Sequence, residues 1–166
     1  IVVVVVLFAT VALFLPSSRT VVNKIESNRP IGTVYDVLNG FGRFDEWNTL
    51  RADRMLKSQV SGPASGVGAK MSYSSLNRST GEGNWQLVES TVDKQIKFAI
   101  DDSTQGSDKS MTIDLDRTGP LKKNVSITQT YKVNYGWNLL GRYAGLYVER
   151  NVGDQMKAGT KRLSTF

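Results

Sequence analysis

Proton transfer at neutral pH needs a side chain with a tuned pKa held within reach of a substrate, and the nominees in this sequence are Glu89, Arg150 and Tyr73. Glu89 stands two residues beyond Leu87, sharing its strand face or ending at the strand rim, and exposure at the rim is the expectation. Gln129 falls on the same alternation as Ile127 and Tyr131, which makes it a candidate buried contact for a ligand carbonyl. Asp101/Asp102 and Asp114/Asp116 lie at loops or outward strand positions and read as solvent-facing charges. No pair among these has a spacing that demands chemistry, so no catalytic residue is assigned.

The chain has no Cys and no His. Disulfide frameworks, Cys/His zinc sites, thiol nucleophiles and histidine triads are thereby excluded, and no metal or cofactor is expected. Gly62-Pro63-Ala64-Ser65-Gly66-Val67-Gly68-Ala69 is glycine-rich, but no helix start or Lys-Ser/Thr follows it, so it reads as a turn rather than a phosphate cradle. The 21 basic and 15 acidic residues give a formal charge of +6, spread over Arg51/Arg54/Lys57, Lys122/Lys123 and Lys157/Lys161/Arg162. Such a distribution fits a solubilising surface or attraction to anionic headgroups. No motif supports nucleic-acid binding.

The elements that must position these residues follow from periodicity. Arg19 to Ser27 is strand-like; Pro30 then starts a short amphipathic helix through Ile31, Val34, Val37, Leu38 and Phe41 that closes at Asn39-Gly40. A second helical turn is expected at Phe44-Asp45-Glu46-Trp47. From about Met55 the pattern changes to alternation, in Met71/Tyr73, Trp85/Leu87, Ile96/Phe98/Ile100, Met111/Ile113/Leu115, Val125/Ile127 and Tyr131/Val133. These read as half-buried strands of one antiparallel meander, about six in all. After Gly136 a helical stripe returns, Val148, Val152, Met156, Gly159 and Leu163, with Glu149, Lys157 and Lys161 off it. The fold class expected is α+β, a curved antiparallel sheet wrapped around a long C-terminal helix.

Ile1 to Leu15 carries no charge and ends at Pro16. As a helix it spans about 22 Å, short of the roughly 30 Å of a bilayer's hydrocarbon, and the opening on Ile rather than Met implies further residues upstream. The expectation is a single-pass transmembrane anchor at 1–16 preceding a domain at 17–166, with the domain on the periplasmic or extracytoplasmic side; Arg19 and Lys24 argue mildly for the opposite topology. A cleaved signal peptide is the alternative, although Phe14-Leu15-Pro16-Ser17-Ser18 lacks a small-x-small cleavage pattern.

Strand, proline-started helix at Pro30 to Leu38, Trp47 in a short second helix, then Gly-Pro-x-x-Gly-x-Gly-Ala at 62–69, in that order, resembles the polyketide cyclase/dehydrase-like branch of the SRPBCC superfamily, whose helix-grip fold is shared with START domains and the birch pollen allergen. The resemblance covers about residues 19 to 165 and includes the closing helix from Val152-Gly153 through Met156, Gly159 and Leu163. It implies a cavity between sheet and terminal helix that receives an apolar ligand, with Trp47, Met71, Tyr73, Trp85, Leu87, Phe98, Ile113, Gln129, Tyr131, Val152 and Met156 as candidate lining. Alternation shows only that the strand residues share a face; filling an ordinary core is the competing assignment. Three functions are expected: a membrane-anchored binding module for a lipid-, quinone- or polyketide-like molecule, an accessory subunit of a membrane complex, or a small cyclase- or hydrolase-like enzyme. The partners implied are the bilayer, an apolar small molecule and complex subunits.

Overall fold

The computed structural model describes residues 1–165; Phe166, the last residue of the expected domain, lies outside the described residues. Three helices, α1 (Val2–Phe14), α2 (Ile31–Leu38) and α3 (Leu139–Thr165), accompany seven strands, β1 (Ser18–Ser27), β2 (Leu56–Ser61), β3 (Lys70–Ser75), β4 (Glu82–Thr91), β5 (Gln95–Asp102), β6 (Ser107–Thr118) and β7 (Asn124–Asn134). The strands form one antiparallel sheet in the order β1-β7-β6-β5-β4-β3-β2. β2 to β7 are a meander, while β1 lies on the far side, paired with β7 from Ser18 opposite Asn134 to Ser27 opposite Val125.

Alternation sets which face is buried. Met71 and Tyr73, Trp85 and Leu87, Ile96, Phe98 and Ile100, Met111, Ile113 and Leu115, and Val125, Ile127, Tyr131 and Val133 all turn inward. Burying a side chain of this size stabilises by about 1.5–3 kcal/mol. A shift in register between Leu87 and Glu89 marks a bulge in β4, which bends the strand and adds to the sheet's curvature.

α3 crosses the concave face. Asn138 accepts a hydrogen bond from the Gly141 amide on its side-chain oxygen at 2.9 Å, which caps the helix, and its side-chain amide donates to Gln105 at 2.7 Å. Farther along, the Asn23 amide of β1 donates to the Thr160 hydroxyl at 3.0 Å. At its far end α3 comes so near the Phe44–Trp47 segment that a Cβ on Gly159 would stand 2.3 Å from the Trp47 carbonyl oxygen.

The glycine-rich stretch is structural. Gly66 donates to the Asn39 carbonyl at 3.0 Å and Gly68 to that of Leu87 at 2.9 Å, tying the end of α2 to β4. Gly62 has φ of +77°, and a Cβ there would meet the Gly68 carbonyl oxygen at 2.5 Å.

The expected membrane anchor is not supported. α1 has 13 residues, about 20 Å of helix, and no described helix is long and apolar enough to cross a membrane. α1 instead leans on the start of α3. Phe8 stacks on Tyr143 with ring centroids 4.1 Å apart, and the Tyr143 hydroxyl donates to the Phe8 carbonyl at 2.7 Å. Arg142, buried, donates from Nη1 to the carbonyls of Ala12, Leu13 and Leu15 at 3.2, 3.2 and 3.3 Å, and from Nε and Nη2 to that of Gly136 at 2.9 and 2.7 Å. The guanidinium thus donates to carbonyls at the negative end of the α1 dipole, adding to the bond that Ala12 already accepts from the Leu15 amide at 3.2 Å.

Candidate functional site

The concave face is filled unequally. At one end Phe41, Phe44, Trp47, Trp85 and Phe98 form an aromatic cluster: Phe44 meets Trp47 edge-on at 4.9 Å and Trp85 at 5.4 Å, and Phe98 lies 5.6 Å from Phe41, Trp47 and Trp85. Phe41, Phe44 and Phe98 of this cluster are fully buried, as are Met71, Leu87 and Ile113. Toward the other end the sheet and α3 diverge around a cavity of about 670 Å³, well within the range of about 300–1,000 Å³ that holds a small organic ligand.

Of the residues expected to line a cavity, Trp47, Tyr73, Trp85, Gln129, Tyr131, Val152 and Met156 do so, joined by Ile100, Met111, Tyr135 and Val148. Met71, Leu87, Phe98 and Ile113 share the inward face but do not line the cavity: Phe98 belongs to the aromatic cluster and the other three are buried in the core. The opening is framed by exposed side chains of the β3–β4 and β5–β6 turns, Ser79, Thr104 and Gln105, and of α3, Asn151, Asp154 and Gln155.

Two polar groups on the inner wall have no partner. The Gln129 Oε1 and the Trp47 Nε1 are both buried without a hydrogen bond, in residues each only 1% exposed. An unpaired buried donor or acceptor costs about 1–3 kcal/mol, and both atoms lie within the packed wall rather than on the surface of the cavity. Burial, aided by the nearby Asp102 charge, pushes the Tyr73 and Tyr131 phenols well above their ordinary range. They face the cavity as neutral hydroxyls rather than as bases.

Asp102 corrects the sequence reading. It is not a solvent-facing charge: its carboxylate accepts from the Lys109 ammonium at 2.5 Å, and Lys109, 4% exposed, also donates to the Thr104 carbonyl at 2.8 Å and hydroxyl at 2.9 Å. Lys109 sits behind the wall and is spent on these acceptors. Asp53, at the opening, accepts from the Ser75 hydroxyl at 2.6 Å and the Met55 amide at 2.9 Å, and these bonds, with one from Thr80, hold its pKa below the usual carboxylate range. Glu89 and Arg150, nominated for acid–base work, lie elsewhere on the surface; Glu89 pairs with Lys97 at 3.4 Å. Sequence reasoning missed Asp53, Asp102 and Tyr135. Alternation flags apolar inward positions, whereas Asp53 sits in a loop, Asp102 at a strand end and Tyr135 just past β7.

No protein-family model matches the sequence, and no curated protein matches it. Solved structures do. Norcoclaurine synthase from Thalictrum flavum aligns with a TM-score of 0.67 at 12% identity over 93% of this chain and 88% of that one. A protein from Thermobifida fusca aligns at 0.64 and 15% identity over 87% and 90%, and one from Nitrosospira multiformis at 0.62 and 14% over 89% and 94%. At such identities the likeness is one of fold alone: a seven-stranded antiparallel sheet gripping a C-terminal helix, the helix-grip fold.

Proposed function

We propose that this chain is a binding module for a small ligand with an apolar body, held between the sheet and α3. The observation that carries the reading is the cavity: about 670 Å³, open to solvent at one end and walled by Trp47, Trp85, Tyr73, Tyr131, Met111 and Met156. The aromatic rings offer flat apolar surface and the methionines adapt to an irregular shape. Catalysis is the weaker reading. The phenols are held neutral, Asp102 is committed to Lys109, and the cavity wall brings together no base and acid poised for proton transfer.

The test is fluorescence titration with N-phenyl-1-naphthylamine, a neutral probe that brightens in apolar surroundings. Saturable binding at one site per chain is expected. Val152→Trp, which projects an indole into the cavity from α3, is expected to weaken it at least tenfold while circular dichroism stays unchanged. Undiminished binding by the folded variant, or none by the wild type, refutes the proposal.

A further inference from the structure

The charges on the cavity wall run against those of the chain. With 21 Lys and Arg, a net charge of +6 and basic residues scattered along its length, the protein as a whole attracts anions. The cavity does not share this. Its charged lining residues are Asp53, Asp102 and Asp154, and no Lys or Arg lines it among the described residues. Of the three, only Asp102 has a cation in contact, and that cation, Lys109, lies behind the wall with its ammonium surrounded by four protein oxygens. Asp53 and Asp154 take part in none of the ion pairs found among the described residues. Asp53 lies in the loop before β2 and Asp154 on α3, so the cavity wall carries carboxylates from two separate elements.

An anionic headgroup or fatty carboxylate seated here would find like charges at the opening and no guanidinium or ammonium to offset its lost hydration, a cost that buried ions do not recover without a partner. A protonated amine finds the reverse. Its ammonium meets carboxylates in the cavity wall, and the aromatic side chains that line the cavity, Tyr73, Trp85 and Tyr131 among them, suit its apolar body.

We infer that the ligand of this cavity is an organic cation, an amine carrying an aromatic or comparably flat apolar body, and that carboxylate- and phosphate-bearing amphiphiles are excluded. This rests on the cavity being a binding site, and the test separates the two claims.

Displacement of N-phenyl-1-naphthylamine is followed with three ligands that share one ring system, 2-(1-naphthyl)ethylamine, 2-(1-naphthyl)ethanol and 1-naphthylacetate. The amine is expected to bind about fivefold or more tightly than the alcohol, and the alcohol more tightly than the carboxylate, with the amine's advantage shrinking as salt is raised. Asp154→Lys, an exposed substitution on α3, is expected to weaken the amine and strengthen the carboxylate. Equal affinities for amine and alcohol, or a carboxylate that binds as well as the amine while the neutral probe still binds, overturn the charge selectivity and leave the binding module standing. Failure of the neutral probe itself overturns both. An Asp154→Lys protein with an unchanged ranking also refutes the inference, because the selectivity would then not come from the opening.

Discussion

Gly159 and Gly153 lie on the same helix and make opposite predictions for the same substitution. Replacing a helix-interior glycine by alanine ordinarily stabilises by about 0.5–1 kcal/mol, through the reduced freedom of the unfolded chain and the better helix propensity. At Gly153 the new Cβ would meet Val21 Cγ1 at 3.6 Å, an ordinary contact, so Gly153→Ala should keep that gain. At Gly159 the Cβ would stand 2.3 Å from the Trp47 carbonyl oxygen, 3.1 Å from its carbonyl carbon and 3.3 Å from Asn48 Cα. All three are backbone, so no side chain can swing aside, and α3 or the Phe44–Trp47 segment must withdraw by about 1 Å to restore normal contact. Overpacking of this kind costs about 1–3 kcal/mol. Set against the propensity gain, Gly159→Ala should lose about 1–2 kcal/mol, or roughly 2–8 °C in Tm at this chain length. Urea denaturation of the two variants beside the wild type measures the signs. A Gly159→Ala protein as stable as the wild type, or a Gly153→Ala protein that loses as much, would refute the argument that the Trp47 backbone sets how close α3 can lie.

Two further expectations concern the polar groups around the cavity. Lys109→Met leaves Asp102 and the Thr104 oxygens without their donor and should cost about 3 kcal/mol, while Asp102→Asn/Lys109→Met should recover a good part of it; a single variant within 1 kcal/mol of the wild type in urea titration would show that the pair is not held in place. The Tyr73 and Tyr131 phenols keep their protons in the folded state beyond the ordinary value of 10.0. Above that pH the unfolded chain therefore holds fewer protons than the folded one, and stability, level below it, should fall as pH rises, by up to about 1.4 kcal/mol per pH unit for each phenol. Tyr131→Phe should make this alkaline loss shallower in denaturation series at successive pH values, and an identical slope would sink the assignment.

β3 to β7 were legible because each buries one face, which forces the alternation seen from Met71 to Val133, whereas β2 has no buried residue to mark it; α3 was legible because its stripe Val148, Val152, Met156, Gly159 and Leu163 repeats at helical spacing. Which inward residues border open space was not legible. Tyr73 and Met71 share a strand face, yet Met71 packs in the filled end while Tyr73 reaches the cavity; the difference is made by Phe41, Phe44 and Trp47, which arrive from a separate segment. The burial of Asp102 was hidden for a similar reason, since its partner Lys109 comes from the next strand across the β5–β6 turn. α1 is apolar on every side, so its pattern matched a lipid-facing helix and gave no sign of the contacts through Phe8 and the Ala12, Leu13 and Leu15 carbonyls.

The place of β1 has a kinetic consequence. The meander from β2 to β7 assembles by hairpins, each strand pairing with the one made just before it. β1 is synthesised before all of them and pairs with β7, made last, so it must wait through nearly the whole of translation with its ladder groups unmatched, and closing that long loop is the entropically dearest contact in the sheet. β7 meanwhile presents a bare edge able to take up any extended segment, including β1 of another chain. Because α3 lies along β1, the space between sheet and helix is closed on that side only once β1 has paired with β7.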